Sequence, residues 1–277
     1  METPVIWFDT PTGARTPLYH LSARGSVKGA VQIHHGLAEH AARYGPLADY
    51  LAERGFHVYA HDHRGHGQTS APDAPPRFFG GWDKVIADAE AVRERIAADH
   101  PDLPVVVLGH SMGGVIALNQ YLRAPDRFAG LAVWNANVAP RGMISLMRFL
   151  LSLEAIFGGA DKPSGLLNAL TFVEWNKRFR PNRTAFDWLS RDPKAVDAYV
   201  ADEACGWPAT ISLWRDFTDG MAYAASGRNL RRARGRGPIQ LVGGGMDPAT
   251  EGGAALDRLA QRLKQAGAAG VTLKIFE

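Results

Sequence analysis

The sequence predicts an α/β protein: a mostly parallel sheet of eight strands, helices on both faces, and a helical segment inserted after the sixth strand. Three observations lead there. Short β-type runs alternate with helix-patterned segments along most of the chain. One of them, Val105-Val106-Val107-Leu108, passes directly into Gly109-His110-Ser111-Met112-Gly113, a strand-to-helix turn of the Gly-x-Ser-x-Gly type. Between Val138 and about Arg236 the alternation stops, and the sequence becomes helical and loop-rich.

Taken in order, Val5 to Phe8 and Pro17 to His20 form the first two strands. The turn-forming Thr10-Pro11-Thr12-Gly13-Ala14-Arg15 between them predicts an antiparallel hairpin. Ala30 to His35 is the third strand, and the helix Tyr44 to Arg54 ends at Gly55. His57 to His61 is the fourth, followed by Asp62 to Gly67, whose glycines suit a tight structural turn. In Trp82 to His100, Val85, Ala89, Val92 and Ile96 recur at helical spacing before Pro101. Val105 to Gly109 is the fifth strand, Val115 to Leu122 a helix, and Gly130 to Asn135 the sixth strand. Ile239 to Gly243 and Val271 to Phe276 close the sheet, flanking a helix from Gly252 to Ala266 that carries Leu256, Leu259 and Leu263. Ligands of such sheets bind beyond the carboxyl ends of the strands.

The inserted segment reads as a cap over those strand ends, with Trp175, Trp188, Trp207 and Trp214 scattered through it. The expected division is a core of residues 1–137 and 237–277 around a cap of residues 138–236. The first cap helix, Met143 to Phe157, is apolar nearly all round except for Ser145, Arg148 and Ser152, and is too short and interrupted to span a bilayer. Packing inside the cap is the reading favoured here; the alternative is docking on lipid or lining an acyl tunnel. The arginines 228, 231, 232, 234 and 236 read as a solvated cap exit loop, with an anionic lipid or phosphate contact as the sharper alternative.

Composition sets outer limits. Hydrophobic residues at 46% and charged residues at 21% describe an ordinary globular chain, and a net charge of +3 gives no argument for nucleic acid. The single Cys205 cannot form an internal disulfide, and the stretch Met1 to Asp9 lacks a basic start and an apolar signal core. A cytoplasmic location is the expectation.

The turn at Ser111 is where chemistry is expected. A reversal this sharp forces the serine into strained backbone angles, and glycines two positions before and after it let the neighbouring backbones pass. It also sets Ser111 at a helix N-terminus, where free N–H groups favour a developing oxyanion. No cysteine or acidic cluster accompanies the histidines near His34 to His40 at ligand spacing, so no metal site is expected, and no cofactor.

Three segments together resemble the monoacylglycerol lipase and lysophospholipase branch of the α/β-hydrolase superfamily, often labelled serine-aminopeptidase-like. They are His35-Gly36-Leu37-Ala38-Glu39-His40, Tyr59-Ala60-His61-Asp62-His63-Arg64-Gly65-His66-Gly67-Gln68-Thr69-Ser70, and Leu108 to Gly114. The resemblance implies hydrolysis of a carboxylic ester, a monoacylglycerol or lysophospholipid, through an acyl-serine intermediate, with the cap forming the acyl pocket; peripheral membrane contact through the cap stays the alternative read from its first helix. It implies Ser111 as nucleophile and the backbone N–H groups of Leu37 and Met112 as the oxyanion hole. It implies Asp247 as triad acid, following the strand Ile239 to Gly243 and the glycines 244 and 245. The triad order Ser, Asp, His requires a base beyond Asp247, yet all ten histidines lie at or before His110.

The catalytic histidine and a final helix are therefore expected past Glu277. The alternative is a natural short form, which would leave an apolar face of the sheet bare. His35 and His40 are upstream candidates for the base, but a base must also meet Asp247. Residues 1–277 alone are expected to be nearly inert, since losing the histidine costs on the order of 10⁶ in turnover. The rival functional reading is a non-catalytic homologue that binds a lipid or a protein partner.

Overall fold

A computed structural model describes residues 5–277; Met1 to Pro4, part of the stretch examined for a signal core, lie outside the described residues. The eight expected strands form: β1 (Val5–Asp9), β2 (Arg15–Leu21), β3 (Gly29–His34), β4 (Phe56–His61), β5 (Val105–His110), β6 (Gly130–Trp134), β7 (Ile239–Gly244) and β8 (Val271–Phe276). They build one sheet in the order β1-β2-β4-β3-β5-β6-β7-β8. β1 and β2 pair antiparallel, as do β2 and β4, and every later pairing is parallel. Each observed strand lies within about two residues of its expected bounds, because β-branched runs framed by turn residues have no stable helical alternative.

Helices α1 (Gly45–Ala52), α2 (Trp82–Asp99), α3 (Met112–Arg123) and α4 (Arg141–Gly158) follow in chain order. Two apolar clusters hold them to the sheet. The larger joins α2 and α3 to one face through Val85, Val92, Ile96, Val115, Ile116 and Leu118; the smaller gathers Val31, Ile33, Val58, Leu108 and Ala132 against Ala48 of α1. In α3, Val115, Ile116, Leu118 and Leu122 are wholly buried, each contributing about 1.5–3 kcal/mol. The buried Asn119 links this core to the insertion, accepting from Trp82 Nε1 at 3.0 Å and donating to Gly220 O at 3.0 Å. The helix Ile211–Ala224 thus packs on α2 and α3 as well as under the cap.

At the β7 and β8 edge, Gln240, Thr272, Lys274 and Phe276 stand exposed on one face. The other side of β8, Val271, Leu273 and Ile275, packs against the main core.

The first cap helix does not pack wholly inside the cap, the reading favoured from its sequence. Its polar stripe stays largely exposed while pairing with the helix Ile211–Ala224: Arg148 Nε donates to Thr218 Oγ1 at 3.0 Å and its guanidinium pairs with Asp219, while Arg215 donates to Ser152 Oγ at 3.2 Å. Only Ile144 and Leu151 of α4 are buried, and Phe149, Ile156 and Phe157 are 59%, 74% and 89% exposed. Part of the apolar side is therefore left facing outward. Periodicity locates a helix and its stripes but not what covers them, and here the polar stripe finds partners on a neighbouring helix while part of the apolar face stays exposed.

Candidate active site

Ser111 sits between β5 and α3 with φ +54° and ψ −121°, backbone angles that a side chain raises in energy by on the order of 1–3 kcal/mol. Its N–H is anchored on Trp134 O at 2.8 Å. The flanking glycines are required by space. A Cβ on Gly109 would lie 2.0 Å from Gly113 O, and one on Gly113 would lie 2.2 Å from His34 O. Gly113→Ala is expected to destabilise the fold by about 3 kcal/mol or more, because backbone, not a flexible side chain, must yield; urea unfolding monitored by far-UV dichroism measures it.

The loop after β3 passes directly over the serine, and a Cβ on Gly36 would lie 3.4 Å from Ser111 Cβ. Among the described residues no hydrogen bond takes up the N–H of Leu37 or of Met112, and both residues line the same cavity as Ser111. Glu39 holds this loop in shape. Its carboxylate is buried and accepts from Gly36 N at 2.6 Å, Tyr44 Oη at 2.9 Å and Arg43 at 2.7 Å, with His110 Nδ1 3.5 Å away. Burial alone would raise its pKa. The hydrogen bond with His110 and the charges of His110, His35 and Arg43 bring it down to about 2 instead.

Because the folded value lies below the unfolded 4.5, this carboxylate's stabilisation is complete above pH 4.5 and is lost as pH falls toward 2. Glu39→Gln is expected to cost about 2 kcal/mol at pH 7 and to flatten the acid limb of the stability curve in that window. Urea midpoints measured across pH would show both effects.

Asp247 follows β7 and is half-buried. Its Oδ1 accepts from Ala249 N at 2.9 Å, and its Oδ2 from Asn135 Nδ2 and Thr250 Oγ1, each at 2.8 Å. Ser111 and Asp247 open onto one cavity of about 1570 Å³, so the structure brings together all four residues read from the sequence. The upstream histidines do not join them. His35 is fully buried with both nitrogens engaged, Nδ1 with Gly36 O at 2.8 Å and Nε2 with His63 N at 2.9 Å. His40 Nε2 is held by Asp202 Oδ2 of the insertion at 2.7 Å. No histidine is hydrogen-bonded to Asp247 among the described residues.

The roof of the cavity comes from residues 141–221, including Met147, Phe172, Trp175, Trp188, Trp214 and Phe217. Phe172 stacks on Trp188 at 5.7 Å, and Trp175 meets Trp188 edge-on at 4.9 Å. Trp175, Trp188, Trp207 and Trp214, scattered in the sequence, all line this one space. Tyr199 Oη and Gly206 N both donate to Ala38 O at 2.9 Å, which ties the roof to the loop above the serine. No described helix is long and apolar enough to cross a membrane.

Sequence reasoning missed Glu39 and Asn135 as parts of the site. Asn135 has φ +48°, a conformation asparagine tolerates better than most residues, so a polar Asn just after a strand was the available signal. The segment Asp62 to Gly67 is structural as expected. Asp62 accepts from Ala41 N and Gln68 N, and a Cβ on Gly67 would collide with that carboxylate at 2.0 Å.

Residues 25–277 match the family model described as serine aminopeptidase, S33. A monoacylglycerol lipase of Mycolicibacterium smegmatis is 32% identical over 177 residues, covering 63% of this chain and 55% of that protein. Monoglyceride lipase of Homo sapiens is 36% identical over 109 residues, covering 39% of this chain and 35% of that protein. The matched part thus spans about half of the first relative and about a third of the second. A thermostable carboxyl esterase of Bacillus coagulans, solved in complex with glycerol, superposes with a TM-score of 0.86 over 100% of this chain and 90% of that one. At 24% identity that likeness speaks to the fold.

Proposed function

The chain belongs to the serine aminopeptidase S33 family of α/β-hydrolases, and from that premise we propose that it is the core of a serine esterase acting on monoacylglycerol or lysophospholipid. One observation carries the reading: a serine held at positive φ at a helix N-terminus, beside two free backbone N–H groups, on the floor of an apolar cavity. Ser111 Oγ attacks the ester carbonyl, and Leu37 and Met112 N–H groups receive the oxyanion. A histidine takes the serine proton and returns it to the departing glycerol oxygen. Water then attacks the acyl-serine by the same path, releasing fatty acid. Asp247 keeps the imidazole in the needed tautomer and stabilises its cation. This chemistry calls for no cofactor, and the proposed place of action is the cytoplasm.

The reading requires an imidazole that meets Asp247, and among the described residues the partners of the Asp247 side chain are Asn135, Ala249 and Thr250, with no histidine hydrogen-bonded to it. The test compares this chain with a version extended along its gene, using a fluorophosphonate probe and a chain-length series of monoacylglycerols. Restored labelling and turnover support the reading. An extended protein that neither labels nor hydrolyses any ester favours the second reading, a non-catalytic homologue that binds a lipid or a protein partner.

The cap is proposed to meet lipid through the outer side of α4, where Phe149, Leu153, Ile156 and Phe157 are exposed, beside Met143 and Leu146 at the cavity. Replacing Phe149, Ile156 and Phe157 together by aspartate is expected to weaken vesicle binding at least tenfold, since each side chain inserted is worth about 1.5–3 kcal/mol. Co-sedimentation with phospholipid vesicles measures it; unchanged binding would remove this face from the reading.

A further inference from the structure

Behind the loop that crosses Ser111 lies a group of histidines that the esterase reading leaves unused. His34 ends β3, His61 ends β4, and His63 follows two residues later. The last register pair of those strands, Ile33 with Ala60, puts His34 and His61 side by side. All three rings are fully buried, with centroids 5.8 Å apart for His34 and His61, 5.3 Å for His34 and His63, and 4.8 Å for His61 and His63. One ring nitrogen of each lies within 4.8 Å of the corresponding nitrogens of the other two.

The hydrogen bonding of these rings is incomplete. His34 Nε2 meets Gln120 Oε1 at 2.9 Å, and Gln120 Nε2 is committed to Ala89 O at 3.0 Å, so His34 must donate from Nε2 and keep its Nδ1 lone pair. That Nδ1 and both ring nitrogens of His61 and His63 find no partner among the described residues. Buried polar atoms are rarely left so, and five in one cluster point to a ligand. Burial lowers the basicity of all three rings, which leaves them neutral at pH 7.

We propose that His34, His61 and His63 form a structural site for a divalent transition-metal ion of the zinc class. Three neutral imidazoles with no thiolate suit such an ion, and tetrahedral ligation would draw their nitrogens from within 4.8 Å to about 3.4 Å of one another. Gln120 provides the outer hydrogen bond that fixes the His34 tautomer. The buried carboxylate of Asp62, between His61 and His63 in the chain, lies on the same loop as negative charge. None of the three histidines lines the cavity of Ser111. The ion would instead clamp β3 to the loop after β4, where His63 N already donates to His35 Nε2, and so brace the oxyanion loop from behind.

The test must silence two other candidate clusters, His20 with His57 and His100, and His40 with Asp202 and Cys205. A parent carrying H57Q, H100Q and C205S is refolded from urea with Zn²⁺, dialysed, and assayed for metal. About one Zn²⁺ per chain is expected to remain, to be lost when H34Q or H63Q is added, and to raise Tm by on the order of 5 °C at a hundredfold excess over Kd. Zinc-edge X-ray absorption of the parent should report three imidazole nitrogens at about 2.0–2.1 Å, which decides the matter even if the added variants fail to fold. No retained Zn²⁺ in the parent, a stoichiometry unmoved by H34Q and H63Q, or a ligand shell without three imidazoles would each overturn the proposal.

Discussion

Ser111→Ala is expected to lower monoacylglycerol turnover by on the order of 10⁶ in an enzyme that carries its general base, and to abolish fluorophosphonate labelling. The size follows from the chemistry. Without Oγ there is no acyl-enzyme, and the remaining oxyanion donors can only assist direct attack by water. The same position should behave oppositely in stability. The backbone at φ +54° and ψ −121° is strained for any residue with a Cβ, so Ser111→Gly is expected to stabilise the fold by about 1 kcal/mol while removing activity. Labelling that persists in the alanine variant would disprove the nucleophile assignment; a glycine variant that melts below the parent would disprove the strain.

Asp247→Asn is the second large effect, expected to lower kcat by about 10⁴ with KM changed by less than about threefold. Asp247 faces three donors, Ala249 N, Thr250 Oγ1 and Asn135 Nδ2, and has accepting capacity left for an imidazole N–H. An amide in its place offers a donor where a donor already stands, turning against Asn135, and it can no longer stabilise an imidazolium. On the proposed reading the acyl chain is held by the aromatic roof and Asp247 acts through the imidazole, which is why KM should hold. Steady-state kinetics on the extended enzyme would separate the two constants, and equal loss from KM alone would reassign Asp247 to substrate binding.

Much of the fold was legible because its signals are local. The β-branched runs, Gly55 at the end of α1 with φ +89°, and the hairpin turn before β2 each depend on neighbours within a few residues. The position of Asp247 was also legible, since the end of a late strand is a topological place. What escaped was whatever depends on a distant partner. Asn135 and Asp247 are 112 residues apart, and nothing near Asn135 in the chain hints at a carboxylate. Periodicity located α4 but could not say which way it faced, because an apolar stripe reads the same whether it meets a core, a cavity or lipid.

The chain by itself determined the elbow. Steric exclusion around Ser111 involves only Gly109, Gly113 and the backbone they must admit, so the motif carries its own geometry. Tertiary structure decided the surroundings: that Glu39 braces the oxyanion loop, that four tryptophans share one cavity, and that His34 meets His61 and His63. The physical reason lies in sheet pairing. Parallel strands are joined by long crossovers, so residues brought edge to edge by register are far apart along the chain, and no spacing in the sequence records their meeting.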